Sequence, residues 1–330
     1  MNNRKPALVI SLDLELLWGM FDKVTIAEYG HRILGERQAI PQMLELFKTY
    51  EMHATWATVG MLMHDGKADL LANLPPPELR PQYERAAYSS YRYLENATLG
   101  ESEGNDLYHF GPSLIRLIQN TPHQEIASHT YSHYYGVDGG ENSEAIFAAD
   151  CAAFTTVAKR YNITPTAIVF PRNQTNEALL GVCMQNGLRM YRGNETHFLY
   201  RPRKDSEQSF LIRGLRLLDH YLNLSGHHGH IITKPTEGLP TNVPASRFLR
   251  PYSKTLRYLE PLRLHRIKTS MTHAAKNGEV FHLWWHPHNF GADLEENNKN
   301  LTSLLEHFTM LRERYDMQSL TMTEAADLAT

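Results

Sequence analysis

Ala7-Leu8-Val9-Ile10-Ser11-Leu12-Asp13-Leu14-Glu15 is the stretch from which the rest of this chain can be read. An apolar run passes into acids without a break. Along a strand, side chains alternate between faces, so Ser11, Asp13 and Glu15 share one face and Leu8, Ile10, Leu12 and Leu14 share the other. A buried strand of this kind delivers two carboxylates side by side at its end. Far downstream, Ser128-His129-Thr130-Tyr131-Ser132-His133 places two histidines four apart. If that segment makes a helical turn, both imidazoles fall on one face and reach a single ion. Zinc-type sites take a third protein ligand, often a carboxylate, and keep a position open for water. One upstream acid would supply that ligand, and the other would take a proton from the water.

The remainder of the composition narrows the class. The chain has 330 residues, 42% of them hydrophobic and 21% charged, enough for one large barrel or two smaller domains. A formal net charge of -3 offers no nucleic-acid surface. Cys151 and Cys183 are the only cysteines, too few for a secreted disulfide scaffold. Met1-Asn2-Asn3-Arg4-Lys5-Pro6 leads into the first strand with no apolar leader of signal-peptide type, and no run has the length of a membrane helix. The expected location is the cytoplasm, with no membrane span and no oligomeric state specified.

Strand-like runs at 7–13, 53–59, 125–128, 167–170, 189–191 and 279–285 alternate with helical patterns at 38–50, 111–120, 143–160, 175–186, 257–277 and 300–315. Such alternation predicts an α/β protein with parallel strands, and chemistry at strand ends fits a TIM-like barrel. Two stretches break the pattern. Residues 64–110, with Pro75-Pro76-Pro77 and many tyrosines, read as a surface insertion and a lid. Residues 194–256, rich in Arg, His, Pro and Gly, read as a second insertion near the site mouth. No internal repeat is visible, and a single catalytic domain over 1–330 is expected.

Two further segments complete a set: Phe170-Pro171-Arg172-Asn173-Gln174 and Leu283-Trp284-Trp285-His286-Pro287-His288-Asn289. With the acid strand and the histidine pair, in this order, the chain resembles the polysaccharide deacetylase superfamily, carbohydrate esterase family 4, over roughly residues 6–290. The resemblance implies a distorted (β/α)7 TIM-like barrel. It implies one divalent ion, zinc foremost, with cobalt, manganese, nickel or iron as alternatives. Glu15, His129 and His133 would be its ligands and Asp13 the base, with Asp13 on the metal as the converse assignment. Arg172 takes the place of an arginine that pairs with the catalytic aspartate. His286 occupies the position of the acid that protonates the leaving amine, with His288 as the alternative. A backbone N–H near Tyr131 would stabilise the oxyanion.

The remaining site candidates concern substrate. Asn173 and Gln174 can donate hydrogen bonds, while Trp18, Tyr131, Trp284 and Trp285 can offer a stacking face to a sugar ring. His288 and Asn289 follow the acid into the site. His282 reads as structural, and His227-His228-Gly229-His230 as a loop near the mouth rather than a second metal site. Two departures from the family pattern matter. Leu14 separates the two acids, and the arginine motif continues as Asn173-Gln174 instead of Pro-Tyr, which points away from bulk chitin or peptidoglycan. The expected activity is removal of an N-acyl group, acetyl by default or formyl, from an amino sugar or its nucleotide- or lipid-linked precursor in surface polysaccharide biosynthesis. Hydrolysis of a small non-sugar amide is the alternative, and a non-catalytic sugar-binding module the second alternative.

Overall fold

The first strand obeys the alternation its sequence dictates. In β1 (Ala7–Leu14) the even positions Leu8, Ile10, Leu12 and Leu14 pack outward against Ile33, Met43 and Phe47 of the helix Ile26–Thr49. The odd positions Ala7 and Val9 face a separate inner cluster with Ala57, Ala127, Ala167, Val169, Met190, Val243 and Val280. Small residues fill this interior because side chains from every strand converge on it. Ser11 and Asp13 continue the inner face toward the strand's C-terminal end.

The computed structural model describes residues 4–136, 143–200 and 210–329. Its strands are β1, β2 (Ala54–Thr58), β3 (Gln124–Ser128), β4 (Ala167–Ile168), β5 (Met190–Tyr191), β6 (Thr241–Asn242), β7 (Arg247–Phe248), β8 (Val280–Trp285) and β9 (Gln318–Leu320). All strand pairs are parallel, in the order β6-β5-β4-β3-β2-β1-β8-β7, with β9 against the start of β1. The two ends of that order belong to one segment. Val243 and Ala245 donate backbone N–H groups to Tyr191 and Gly193, while Ser246 and Leu249 donate to His282 and Trp284. A single broken stave, 241–249, thus joins β5 to β8 and makes the sheet a distorted seven-stave barrel with helices outside, as the resemblance implied.

That stave lies inside the stretch read from sequence as the second insertion. Its two-residue strands, broken around Pro244, carry too little alternation to be recognised. Residues 201–209 of the same stretch lie outside the described residues. The histidine loop is also displaced from its expected place. His230 exchanges backbone hydrogen bonds with Val280, the first residue of β8, so it sits at the end of the barrel away from the acids. The first helix starts at Ile26, twelve residues before the predicted start, under a capping box in which Thr25 and Glu28 bond each other's backbone.

Candidate active site

Glu15 leaves β1 and opens the 3-10 turn Leu16–Gly19. Its Oε1 lies 3.0 Å from His129 Nε2 and 3.2 Å from His133 Nε2, with all three side chains buried. The carboxylate can occupy this position because residue 19 is glycine: a Cβ there would stand 1.9 Å from Glu15 Oε2. His129 donates its Nδ1–H to the Val169 carbonyl at 2.8 Å, which turns Nε2 toward Glu15. An outer hydrogen bond of this kind is what fixes a metal-ligating imidazole. His133 Nδ1 is buried without a hydrogen-bond partner. A tetrahedral zinc site with bonds of about 2.0–2.1 Å has ligand–ligand edges of about 3.3 Å. The two Glu15–histidine separations, 3.0 and 3.2 Å, match such edges, and all three donors lie within 4.8 Å of one another.

The histidine loop is not a helical turn. His129 follows β3 directly, and Thr130 and His133 both take left-handed backbone angles, φ 63 and 56. The four-residue spacing is closed by a folded loop. Asp150, buried on the helix Ser143–Lys159, accepts from Tyr131 N–H at 2.6 Å, Ser132 N–H at 3.0 Å and Ser132 Oγ–H at 2.5 Å. Burial pushes the Asp150 carboxyl up to about 6, against those three bonds. The backbone N–H groups of Thr130, Tyr131 and Ser132, near which an oxyanion donor was expected, thus donate to Ser128 Oγ and Asp150. Leu16, Arg172 and Asn173 also have positive φ. Such residues cost about 1–3 kcal/mol each and persist where surrounding contacts over-determine them.

Asp13 is buried beside Glu15, and its cation is not the one expected. Arg192, just past β5, grips Asp13 with two bonds of 2.7 Å and donates to Asn173 Oδ1 at 3.1 Å. Its guanidinium lies 4.2 Å from the centre of the Trp284 ring. Burial would raise the Asp13 carboxyl, but Arg192, with His129 and His286, outweighs it and holds the group below its ordinary value. Glu15 is likewise raised by burial and driven well below its ordinary value by His286, His129 and His133. Arg172 instead pairs with Asp22 at 2.8 Å and lies between the rings of Tyr88 and Tyr135, at 4.4 and 4.1 Å. The left-handed turn at Arg172 and Asn173 carries that side chain to the wall of the site.

His286, at the end of β8, has Nε2 at 3.7 Å from Asp13 and 3.6 Å from Glu15, and is half-buried. His288 lies beyond it, 5.0 Å between ring centres, fully buried against Tyr29. Burial drives His288 down to about 3, with His286 adding to the effect. The residues converge on a cavity of about 320 Å³ whose wall includes Asp13, Glu15, His133, Arg172, Asn173, Arg192, His286, His288 and Asn289. Met20, Lys23, Tyr29, Phe248 and Trp284 complete much of the rest.

Four proposed substrate contacts lie elsewhere. Trp18 is core, donating Nε1–H to the His109 carbonyl at 2.8 Å and packing on Tyr93. Tyr131 is core, with its hydroxyl 2.9 Å from His64 Nε2. Trp285 has the outward parity of β8 and packs on Phe47 and Phe290. Gln174 is buried outside the cavity wall. Of the stretch 64–110, Tyr83 and Tyr88 pack on Tyr135, and Tyr88 also backs Arg172 of the cavity wall, 4.4 Å from its ring centre. Arg192 and Asp150 were missed. A cation directly after a strand, at Arg192, carries the same positional signal as Arg172 and could have been weighed. Asp150 sits among helix residues with nothing local to mark it.

The sequence profile described as polysaccharide deacetylase matches residues 17–191. The chain superposes on a Mycobacterium smegmatis structure assigned to the polysaccharide deacetylases, with TM-score 0.57 and 14% identity, over 99% of this chain and 91% of that one. A GH57-type branching enzyme from Pyrococcus horikoshii gives TM-score 0.55 at 11% identity, over 98% and 70% of the two chains. The allantoinase PuuE gives 0.54 at 10% identity, over 99% and 91%. No curated protein sequence matches the chain significantly.

Proposed function

Because the chain belongs to the polysaccharide deacetylase family, we propose that it is a metal-dependent amidohydrolase that removes an acetyl or formyl group from an amino sugar. The observation that carries this reading is the approach of His129 and His133 to one Glu15 oxygen, at 3.0 and 3.2 Å, beside an Asp13 clamped by Arg192. A divalent ion held by those three residues, zinc by its donor set, would supply Lewis acidity toward the acyl carbonyl and lower the pKa of a water. Asp13, kept ionised by Arg192, accepts the proton of the attacking water. His286, within reach of both acids, returns a proton to the departing amine. Arg172, Asn173, His288 and Asn289 shape the cavity around the substrate, and Trp284, Tyr29 and Phe248 line it with aromatic surface. The products are a carboxylic acid and a free amine.

A cavity of about 320 Å³ lies at the low end of the roughly 300–1,000 Å³ usual for small-molecule sites. That supports a single sugar unit, such as a nucleotide- or lipid-linked precursor for surface polysaccharide, over a finished polymer. Cys151 and Cys183 are free and buried, which agrees with work in the cytoplasm. Among the described residues no helix is long and apolar enough to cross a membrane. The same small cavity, with Trp18, Tyr131 and Trp285 withdrawn into the core, favours hydrolysis of a small non-sugar amide as the second reading.

The test is amine release from a panel of acetamido and formamido sugars and their nucleotide conjugates, alongside small cyclic and linear amides, with metal content measured in the same preparation. Release from the sugars supports the first reading and release only from the others supports the second. A metal-free, inactive protein that still binds sugar would replace both with a binding module.

A further inference from the structure

His282 lies at the centre of β8 with no exposed surface, and nothing in the chemistry above uses it. Its ring nitrogens both have partners. Nδ1 is 3.1 Å from the Val243 carbonyl, and Nε2 is 2.8 Å from Ser11 Oγ. A carbonyl can only accept, so Nδ1 carries the proton and Nε2 presents a lone pair. Burial, with Arg192 adding to it, drives the ring down to about 3, so it is neutral across the working range. Ser11 must then donate its only proton to His282. Its oxygen is left to accept from Arg192 NH1, which stands 2.9 Å away.

The direction of every bond is therefore fixed. Val243 accepts from His282, His282 accepts from Ser11, Ser11 accepts from Arg192, and Arg192 donates to Asp13. We infer that Ser11 and His282 form a buried positioning relay that sets the orientation of the Arg192 guanidinium and, through it, the Asp13 carboxylate. Neither residue lines the cavity, so neither is a catalytic residue. The inference deepens the reading of Asp13 as the base and rests on it. Its physical content is preorganisation: a guanidinium whose two terminal nitrogens are held by Ser11, Asp13 and Asn173 before substrate arrives does not reorganise during the reaction.

The relay is also connected to barrel closure. Val243 belongs to the broken stave 241–249, and Ser246 of that stave accepts the His282 N–H through its Oγ at 2.8 Å. One imidazole thus ties the stave that closes the barrel to the arginine that orients the base.

Two measurements on the full chain test this. Heteronuclear NMR of histidine-labelled wild-type protein should show His282 as the neutral tautomer protonated on Nδ1, with a hydrogen-bonded Nε2. A cationic ring, or the tautomer protonated on Nε2, overturns the relay whatever the enzyme's substrate proves to be. In the second arm, His282→Leu and Ser11→Ala should each lower kcat roughly 10–100-fold, the scale seen for outer partners of site residues, with KM and metal stoichiometry unchanged. His282→Gln, whose side-chain oxygen can accept the Ser11 proton, should recover much of the rate. In an Arg192→Ala background, His282→Leu should cost little further, because the relay acts only through that arginine. Equal losses from His282→Leu in both backgrounds overturn it. A wild-type protein that releases no amine from any substrate would instead refute the functional reading, and the NMR result would still decide the relay.

Discussion

Arg192 holds Asp13 by both terminal guanidinium nitrogens, 2.7 Å to each carboxylate oxygen, from just past β5, the strand adjacent to β4, which leads into Arg172. A bidentate pair of this kind fixes direction as well as charge. It means that the ionisation of the proposed base depends on β5, whereas Arg172 serves Asp22 and the aromatic wall.

From this pairing follows an exchange of roles between the two arginines. Arg192→Ala should reduce kcat/KM by about 100-fold or more, on the scale of a lost acid–base partner. It should also move the acidic limb of the pH–rate profile to higher pH. The sign follows from Asp13: a base works ionised, Arg192 holds its carboxyl low, and removal of the cation lets burial raise it. Arg172→Ala should leave that limb in place and alter KM. A shifted limb in Arg172→Ala, with none in Arg192→Ala, would restore the arginine of the Phe170-Pro171-Arg172 motif to the base.

Metal content should separate the two acids of the first strand. His133→Ala and Glu15→Gln should each lose most of about one bound ion per chain, since two remaining ligands cannot close the site. Asp13→Asn should keep the ion and lose turnover. Elemental analysis showing metal retained in Glu15→Gln and lost in Asp13→Asn would assign the ligand to Asp13.

How much of this could be read beforehand follows from which residues act within their own segment. Asp13 and Glu15 were legible because strand parity is local: position along β1 alone decides which side chains enter the barrel. His129 and His286 were legible because each directly follows a strand, and His133 because it stands four residues after His129. Asp150 and Arg192 act across the fold, one by bonding backbone on a loop eighteen residues away and the other through a strand pair formed late in the chain. No spacing in the sequence encodes such contacts. Trp18 and Trp285 were misplaced for a related reason. Their aromatic character was visible, but whether a ring faces cavity or core depends on a helical turn and on β8 parity, and Trp284, one residue earlier, took the inner face.

Gly19 should be as sensitive as a ligand. The Cβ of Gly19→Ala would overlap the Glu15 carboxylate, and that carboxylate is wedged between the turn and two histidines. Its displacement should weaken metal binding by an order of magnitude or more, as errors in outer support do, while circular dichroism and melting change little. A variant with normal metal affinity would show that Glu15 has room to move and is not held by the turn.

The last expectation concerns the acid. His286 has its Nε2 within 3.7 Å of both carboxylates and lines the cavity, the place from which a proton can be handed to a departing amine. His288 is buried, and burial drives it to about 3, so it is neutral near pH 7 and has no imidazolium proton to give. His286→Ala should therefore lose roughly 10²–10⁴-fold in kcat, the usual worth of general acid catalysis. His288→Ala should act mainly through packing against Tyr29 and lose far less. An activated amide whose leaving group needs no proton should largely escape the His286→Ala defect. Metal content then decides between two roles, because Asp13, Glu15 and His286 also lie close enough to hold an ion. Full metal occupancy in inactive His286→Ala assigns the histidine to proton transfer. Loss of the ion in that variant, with His129→Ala still loaded, would move the metal to Asp13, Glu15 and His286 and leave the amine to be protonated by another group.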